Sequence, residues 1–432
     1  MLRGRSKRKA DFILYYSNQV ATFKPFKAVR PTSDKAHLVA SRPYDVLNSS
    51  EAKIEAAGNE FSFLRVIKPE IELSEGINPY DNVVYEKGAS VYEELKSRGV
   101  LLQDSNPCFY VYRLTMGDRS QTGIVGCCHF EEYYSGKIKK HELTRMVKEE
   151  DRVKHVDVLN ANAEPVFFSY RARASIDLQL KEIVSTASEY DFVAEDGIRH
   201  ELWIVRDEKH ISNLVNSFKD VPSLYVADGH HRTAAAARIG QVRKDRNPKH
   251  TGNEEYNYFL AVLFSDQELE IYDYNRVVKC LNGFSEDDFL SQLEKRCSLI
   301  NKSQVPLKPQ QKGEFSVYLN KMWYSFSFLN EKNDHDPITN LDVSLLTHHI
   351  LEPLLGVIDQ RKDDRIDFVG GIRGLEELER RVDSGEMEIA FALFPVSMEE
   401  LLAVADAGKI MPPKSTWFEP KLRSGLFVHE LN

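Results

Sequence analysis

Short segments rich in β-branched and aromatic residues recur along this chain and alternate with helical patterns. Val83–Arg98 has apolar residues at helical spacing, and the alanine-rich Thr233–Ile239 is predicted to end at Gly240. Strands that alternate with helices predict an α+β or mixed α/β fold. The strand candidates are Phe61–Ile67, Phe109–Leu114, Gly123–Phe130, Val166–Tyr170, Leu202–Val205, Leu224–Ala227, Tyr258–Phe264 and Glu270–Val278.

The length of 432 residues predicts two or three domains, at roughly 100–200 residues per domain. A polar, proline-containing stretch at 301–313 marks the predicted boundary. We therefore expect a main α/β body over residues 23–300, followed by a C-terminal α/β region over 301–432 that closes on the body. The basic N-terminal stretch, residues 1–22, is predicted to be a disordered extension, and the polar residues 242–256 a surface loop.

The charge balance and the cysteines limit the partners of the protein. The net charge is −9, which argues against nucleic-acid binding, because such binding depends on Lys and Arg that neutralise phosphates. Five cysteines without a CxxC pair argue against a disulfide scaffold or a zinc knuckle and fit the cytoplasm. No apolar run approaches the length of a membrane span. A small-molecule substrate is therefore the expected partner, with the oligomeric state left open.

The strongest local signal for chemistry is LYVADGHHRT, residues 224–233, followed by four alanines. A strand that runs through Asp228 and Gly229 into a helix leaves backbone N–H groups at the helix N-terminus, where phosphates bind. Arg232 adds a planar charged fork suited to phosphate oxygens, and His230 and His231 can donate hydrogen bonds or move protons. In the alternative interpretation, Asp228 is only an N-cap and the histidines are surface residues. The adjacent imidazoles diverge on a helix, which disfavours a shared metal ion.

A second signal is the charged segment that starts at His141 and Glu142 and continues through Arg152 to His155. A carboxylate beside histidine and arginine can act as a general base or a magnesium ligand, and Glu142 is the candidate. The alternative is a solvated helix with pairs at i and i+4, such as Asp151 with His155.

Two further segments carry candidate residues. Lys414, Ser415 and Thr416 lie in a proline-bracketed loop that could close over an anionic substrate, or that is simply tied down by its aromatic neighbours. Asp45 and Glu51 are candidate acids. Their alternative explanation is turn chemistry at Pro43 and an N-cap at Ser49 or Ser50 that starts a helix over residues 51–57.

From about Phe23 onward the chain resembles a bacterial family called domain of unknown function 1015. Several independent motifs appear in the order of that family. They are FKPFKAVRP (Phe23–Pro31), RPYDV (Arg42–Val46), KIKKHELT (Lys137–Thr144), EDR (Glu150–Arg152), VADGHHRTAAA (Val226–Ala236), YNRVVK (Tyr274–Lys279) and MPPKSTWFEPKLRSGL (Met411–Leu426).

The string DGHHR, Asp228–Arg232, also resembles the phosphate-binding turn of the ParB and sulfiredoxin-like fold, which includes archaeal ADP-dependent free serine kinases. This resemblance implies a ParB/sulfiredoxin-like core in which the turn holds nucleotide phosphates. Sulfiredoxins need a cysteine within this turn, where His230 stands here, which disfavours sulfinic-acid reduction. The resemblance is specific in this one motif.

These observations together predict a small-molecule phosphotransferase, similar to a serine kinase, with a nucleotide or pyrophosphate as donor. His230 and His231 are the predicted catalytic histidines, and Glu142 and Asp45 the predicted catalytic acids. Mg²⁺ is predicted at Asp228. The predicted donor-binding residues are Asp228, Gly229, Arg232, Thr233, Arg152, Lys414, Ser415 and Thr416. The alternatives are a non-catalytic regulator that binds a nucleotide or phosphometabolite, and a phosphatase that uses the same site.

Overall fold

A computed structural model describes residues 21–329 and 336–432, and it has the mixed α/β fold that the sequence predicts. The described chain divides into two compact units. The first unit comprises residues 21–139, 144–269 and 420–432, and the second comprises 140–143 and 270–419. Most of the predicted N-terminal extension, residues 1–20, lies outside the described residues.

The first unit is built on a nine-stranded sheet in the order β6-β11-β8-β12-β5-β4-β10-β9, with β1 paired to the end of β5. The β6–β11 and β8–β12 pairs are parallel and the other pairs are antiparallel. Two small ladders, β2–β3 and one involving β7, complete the unit. The strands are β1 (Phe23–Lys24), β2 (Val29–Pro31), β3 (Leu101–Gln103), β4 (Phe109–Met116), β5 (Arg119–His129), β6 (Ile138–Lys139), β7 (Ala161–Asn162), β8 (Val166–Tyr170), β9 (Tyr190–Val193), β10 (Arg199–Val205), β11 (Leu224–Asp228) and β12 (Tyr258–Ser265).

Central strands of this sheet are continuous apolar runs because helices or loops cover both faces. All five residues of β8 are buried, and its bounds are those that the sequence predicts. The predicted strand Phe61–Ile67 is wrong, since Leu64–Ile67 forms a short helix with three buried apolar side chains. A short apolar run does not by itself distinguish a strand from a buried helical turn.

The last helix of the first unit follows β11 directly. The predicted end of this helix at Gly240 is wrong, because the helix continues to Arg246. Gly240 serves close packing instead, since a Cβ there would lie 2.6 Å from Cγ of Phe130. The predicted surface loop therefore starts only after the helix ends. The helices of this unit are α1 (Ala36–Val39), α2 (Ser49–Glu55), α3 (Leu64–Ile67), α4 (Asn82–Ser97), α5 (Glu131–Tyr134), α6 (Met146–Leu159), α7 (Ala174–Val184), α8 (Glu208–Phe218) and α9 (His230–Arg246).

The second unit contains a six-stranded antiparallel sheet in the order β15-β17-β16-β19-β14-β18, and a separate β13–β20 pair. Asn320 and Lys321 join β16 to β17 with φ of +46° and +60°, as a tight hairpin turn requires. The elements are β13 (Ile271–Tyr272), β14 (Tyr274–Val278), β15 (Cys297–Ser303), β16 (Glu314–Leu319), β17 (Met322–Phe328), β18 (Ile366–Gly370), β19 (Ile389–Leu393), β20 (Trp417–Phe418), α10 (Glu286–Glu294), α11 (Asp342–Leu346), α12 (Glu376–Asp383) and α13 (Met398–Asp406).

The unit boundaries differ from the predicted boundary at residue 301. Residues 270–300 belong to the second unit because β14 pairs with β18 and β19. The last residues return to the first unit, where β21 (His429–Glu430) pairs with β7. Among the residues described, no helix has the length and apolar character needed to cross a membrane.

Candidate functional site

The predicted strand, turn and helix around residues 224–233 are present in the first unit. Strand β11 ends at Asp228, Gly229 is the N-cap, and the 17-residue helix α9 begins at His230. Gly229 is left-handed, with φ +83°, and a Cβ there would lie 3.0 Å from Nε of Arg232. The first turn of α9 carries no acidic side chain, and Gly229 provides no side-chain cap. The helix therefore presents the partial positive charge of its N-terminus at this turn.

Arg232 lies buried beside the turn with only 7% of its surface exposed. Its Nη1 donates a hydrogen bond to the carbonyl oxygen of Pro165 at 2.7 Å. Its Nη2 lies 3.8 Å from one carboxylate oxygen of Asp45 and 3.8 Å from one of Asp228. Its Nε donates no hydrogen bond to any residue that the structure describes. The guanidinium is thus anchored at one corner and only loosely paired elsewhere.

Asp228 is held as an ionised carboxylate by the charges around it. Its Oδ1 accepts the N–H of Gly229 at 2.9 Å, and its Oδ2 lies 3.3 Å from Nζ of Lys421. Burial alone would raise the pKa of Asp228, but the cations Lys421 and Arg232 outweigh it and hold this pKa well below its usual range. Lys421 is a member of the site that the sequence prediction missed.

Asp45, a predicted catalytic acid, is brought to the turn by its contact with Arg232. The preceding residue is fixed from two sides: the N–H of Tyr44 donates to Glu164 at 3.1 Å, and the Tyr44 ring lies 4.0 Å from the Arg152 guanidinium. The Asp45 side chain keeps 38% of its surface exposed. It is therefore positioned by buried neighbours while its carboxylate stays accessible.

Glu51, the other candidate acid near the N-terminus, has a structural role. It forms a capping box with Asn48: the N–H of Glu51 donates to Asn48 at 2.9 Å, and the N–H of Asn48 donates to Glu51 at 2.8 Å. The helix that follows starts at Ser49, so the N-cap is Asn48 rather than the predicted Ser49 or Ser50. The capping box accounts for Glu51 as a structural residue of this helix.

Arg152 is tied into a buried network behind the turn. Its Nε and Nη2 donate to Asp151 at 3.1 and 2.9 Å, and its Nη1 donates to Glu164 at 3.2 Å. Asp151 also accepts the hydroxyl of Tyr85 at 2.9 Å. The two carboxylates engage three of the five N–H groups of Arg152, which favours a structural role over its predicted role as a phosphate ligand.

The helix that carries Arg152 buries its charged face. The predicted pair of Asp151 with His155 is absent, because Nε2 of His155 donates instead to the carbonyl oxygen of Val66 at 2.9 Å. Burial lowers the pKa of His155 to about 4 and raises the pKa of Glu164. The interpretation of this helix as a solvated charged surface is therefore wrong for this face.

The two histidines of the turn have different environments. His230 is buried, whereas His231 is partly exposed. Nε2 of His231 accepts the backbone N–H of Arg145, which precedes α6, at 2.9 Å. A neutral His231 ring therefore carries its proton on Nδ1. His231 thus links the start of α6 to the turn at Asp228 and Gly229.

Thr233 is fully buried and closes the turn from inside. Its N–H and its hydroxyl both donate to the carbonyl oxygen of Gly229, at 2.9 and 3.0 Å. This hydroxyl is already satisfied, which does not fit the predicted contact of Thr233 with a donor phosphate. Thr233 instead stabilises the conformation of the turn.

The remaining predicted site residues lie in the second unit. Glu142 belongs to the short segment 140–143, whose His141 accepts the N–H of Met411 at 2.9 Å through its carbonyl oxygen. A ring nitrogen of His141 also lies 3.4 Å from the hydroxyl of Thr416. The segment that carries Glu142 and the loop that carries Thr416 are thus joined within this unit.

Lys414 and Ser415 lie on that loop, whose conformation is held by hydrogen bonds to its backbone carbonyls. Lys414 is left-handed, with φ +56°, and its Nζ lies 5.5 Å from the centre of the Tyr274 ring. The buried Arg276 donates to the carbonyl oxygens of Pro413 and Lys414 at 3.1 and 3.0 Å. The hydroxyl of Ser415 donates to a backbone carbonyl of the same loop at 2.7 Å. The rigid cationic loop predicted from the prolines is therefore built by Arg276, a residue that the prediction did not include.

The predicted magnesium at Asp228 can be tested against the donors around it. In residues 21–329 and 336–432, no group of three or more His, Cys, Asp or Glu side chains is placed to hold a metal ion. Magnesium often needs only one or two protein carboxylates, with phosphates and waters as its other ligands. However, both oxygens of Asp228 are engaged, by Gly229 and Lys421. Each of these oxygens keeps a further lone pair, so magnesium at Asp228 stays a prediction.

Comparison with known proteins assigns the family. The family model described as "Protein of unknown function (DUF1015)" matches residues 23–344. The chain belongs to this family. The resemblance seen in its motifs is thereby confirmed. A search of curated proteins gave no match.

Several solved structures resemble this DUF1015 member at a distance. A free serine kinase mutant in complex with AMP has 12% identity and a TM-score of 0.33, covering 69% of this chain and 91% of its own. A conserved hypothetical protein from Pyrococcus furiosus has 15% identity and a TM-score of 0.32, covering 70% and 93%. C-terminally truncated SbnI from Staphylococcus aureus has 10% identity and a TM-score of 0.35, covering 69% and 85%.

Proposed function

We propose that this protein is a small-molecule phosphotransferase that holds its donor phosphate at the turn Asp228–Thr233. The observation that carries the proposal is the placement of Arg232. Its guanidinium is buried against a left-handed glycine at the N-terminus of a long helix, and its Nε has no hydrogen-bond partner among the described residues. A helix N-terminus with an adjacent, incompletely paired guanidinium is suited to a phosphate.

Phosphoryl transfer requires little covalent chemistry from the protein. Phosphoryl transfer depends mainly on positioning and on the stabilisation of charge that develops on the transferred group. The amides at the start of α9 and the Arg232 guanidinium supply that stabilisation. Asp45, which is accessible and adjacent to Arg232, accepts the proton of the attacking hydroxyl. His231 holds the start of α6 against the turn.

The donor and acceptor are inferred from the motif. The resemblance of DGHHR to the turn of free serine kinases favours a nucleotide or pyrophosphate donor and serine or a related hydroxy compound as acceptor. Magnesium, which commonly binds donor phosphates together with one or two protein carboxylates, is proposed to arrive on the donor phosphates with Asp228 as its predicted protein ligand. The roles of Glu142, Lys414, Ser415 and Thr416 stay predictions from the sequence.

A binding screen followed by an activity assay tests the proposal. Thermal shift and calorimetry with ADP, ATP and pyrophosphate measure binding, and transfer of labelled phosphate to serine measures turnover. Binding without turnover would favour a regulatory protein, and phosphate release without an acceptor would favour a phosphatase. Failure of all three ligands to bind would contradict the proposed site.

Arg232→Lys keeps the charge but removes the planar fork. Loss of a hydrogen bond to a charged group costs about 1.5–3 kcal/mol, so donor affinity should fall about 10- to 100-fold. Arg199→Lys is the matched control, because Arg199 forms a half-exposed pair with Asp191 elsewhere in the same unit. Equal affinity of the Arg232→Lys and control proteins would show that the turn is not the donor site.

A further inference from the structure

Lys421 contacts the turn from a part of the chain far away in sequence. Its Nζ lies 3.3 Å from Oδ2 of Asp228, the same oxygen that lies 3.8 Å from Nη2 of Arg232. Two cations therefore converge on one carboxylate oxygen. The Asp228 side chain keeps 30% of its surface exposed and Lys421 keeps 15%, so solvent reaches the ion pair.

The segment that carries Lys421 is firmly anchored two residues later. Nε of Arg423 donates to His200 at 3.2 Å, and its Nη2 pairs with Asp196. Ser424 exchanges backbone hydrogen bonds with Ser41, at 2.8 and 3.1 Å. These contacts fix the backbone from which Lys421 reaches the turn.

A glycine completes this anchor. Gly425 is left-handed, with φ +87°, and a Cβ there would lie 2.6 Å from Cγ of Phe63. The hydroxyl of Ser424 also lies 3.4 Å from Glu164, which binds Arg152. A lysine on a flexible tail would lose much entropy on binding an anion, whereas a lysine on an anchored segment loses less. The segment thus has the rigidity expected of a binding element.

We propose that Lys421 is the second phosphate-binding cation of this site and that Asp228 is its resident competing anion. This inference rests on the proposed function of the turn. In the absence of ligand, Asp228 offsets part of the positive charge of Lys421 and Arg232. A phosphate group competes with Asp228 for both cations, so the site favours multiply charged phosphates, such as pyrophosphate or a nucleoside diphosphate, over singly charged anions.

The experiment is calorimetric titration of the full chain with pyrophosphate in metal-free buffer, with thermal unfolding to confirm that each variant is folded. Lys421→Met should weaken pyrophosphate binding at least about tenfold, the size expected for one lost bond to a charged group. Asp228→Asn keeps the acceptor for Gly229 but removes the competing charge, and should tighten binding. Lys209→Met, on the exposed surface of α8, is the matched control and should bind as the parent does.

The double variant Asp228→Asn with Lys421→Met separates binding from simple charge neutralisation. If Lys421 contacts the phosphate, the double variant should stay at least about tenfold weaker than Asp228→Asn alone. If the double variant binds pyrophosphate as tightly as Asp228→Asn alone, Lys421 only neutralises Asp228 and the inference is wrong. Parent-like affinity of Lys421→Met would overturn the inference while leaving the proposed function intact. Absence of pyrophosphate and nucleotide binding by the parent protein would overturn both.

Discussion

Arg152 and Arg232 are equally buried arginines of one unit, yet they are partnered very differently. Each has 7% of its surface exposed, and both line the same pocket. They share the dipeptide Glu164–Pro165: Arg152 donates to the Glu164 carboxylate, and Arg232 donates to the Pro165 carbonyl. Arg152 has two carboxylates within 3.2 Å, whereas the nearest carboxylates of Arg232 lie at 3.8 Å.

The difference in partners indicates a structural role for Arg152 and a binding role for Arg232. A buried charge is costly unless its partners satisfy it, and Arg152 is satisfied by Asp151 and Glu164. Arg232 is left with loose pairs and an unbonded Nε among the described residues, so an incoming anion can complete its partners. Both residues were candidates in the sequence, and burial alone would not distinguish them. The completeness of their hydrogen bonding does.

The largest expected effect is on stability, from Arg152→Ala. The substitution leaves Asp151 and Glu164 as buried carboxylates without their cation, which should lower the free energy of unfolding by about 3–5 kcal/mol. Urea denaturation measures this change. Arg199→Ala, which removes a half-exposed pair with Asp191, should cost at most about 1 kcal/mol.

A similar small loss in both variants would show that the Arg152 network is not a scaffold. A second measurement sharpens the contrast with Arg232. Where Arg152→Ala remains folded at low temperature, its affinity for pyrophosphate should match that of the parent protein. A loss of affinity in the folded protein would return Arg152 to the binding site where the sequence prediction placed it.

The next expected effect is a dependence of stability on pH through His155, which packs in the same network. Burial lowers its pKa to about 4 from 6.5, so the unfolded chain takes up a proton below pH 6.5 that the folded protein does not. Stability should therefore fall as the pH decreases from about 6.5 to 4, with a contribution of about 3 kcal/mol from this group.

His155→Gln tests this contribution, because glutamine keeps an N–H donor for the Val66 carbonyl but does not titrate. The free energy of unfolding should be measured across this pH range for both proteins. The variant should lose less stability on acidification than the parent. Parallel curves would mean that His155 is not held neutral by the fold.

Local patterns predicted much of the site, because a strand, a turn and a helix are encoded by neighbouring residues. The bounds of β8 and the turn at Gly229 follow from apolar runs and from a glycine placed between strand and helix. Gly240 misled the prediction, since a glycine within a helix can mark close packing as well as an end. Here the ring of Phe130 fills the space that a side chain would need.

Contacts between distant residues were the part that the sequence could not provide. Asp45 contacts Arg232, and Lys421 contacts Asp228, across nearly half the length of the chain, and no periodicity relates such positions. Arg152 was predicted to bind phosphate because its ion pair with Glu164, which comes from a separate segment, cannot be recognised in the sequence. A charged residue is easily recognised in a sequence. Whether its side chain can bind a ligand depends on the neighbours that the fold places around it.

The smallest of these effects on stability is expected from Gly229→Ala, and it tests how the turn holds Arg232. A left-handed alanine costs about 1–2 kcal/mol, and its Cβ would also lie 3.0 Å from Nε of Arg232. Gly197→Ala is a matched control, because Gly197 has φ +78° and nothing within 4 Å of the added Cβ. Both variants should lose similar backbone stability in urea denaturation, but only Gly229→Ala should also weaken pyrophosphate binding, since it displaces the guanidinium. If the two variants bind equally well, the contact between Gly229 and Arg232 does not position the phosphate site.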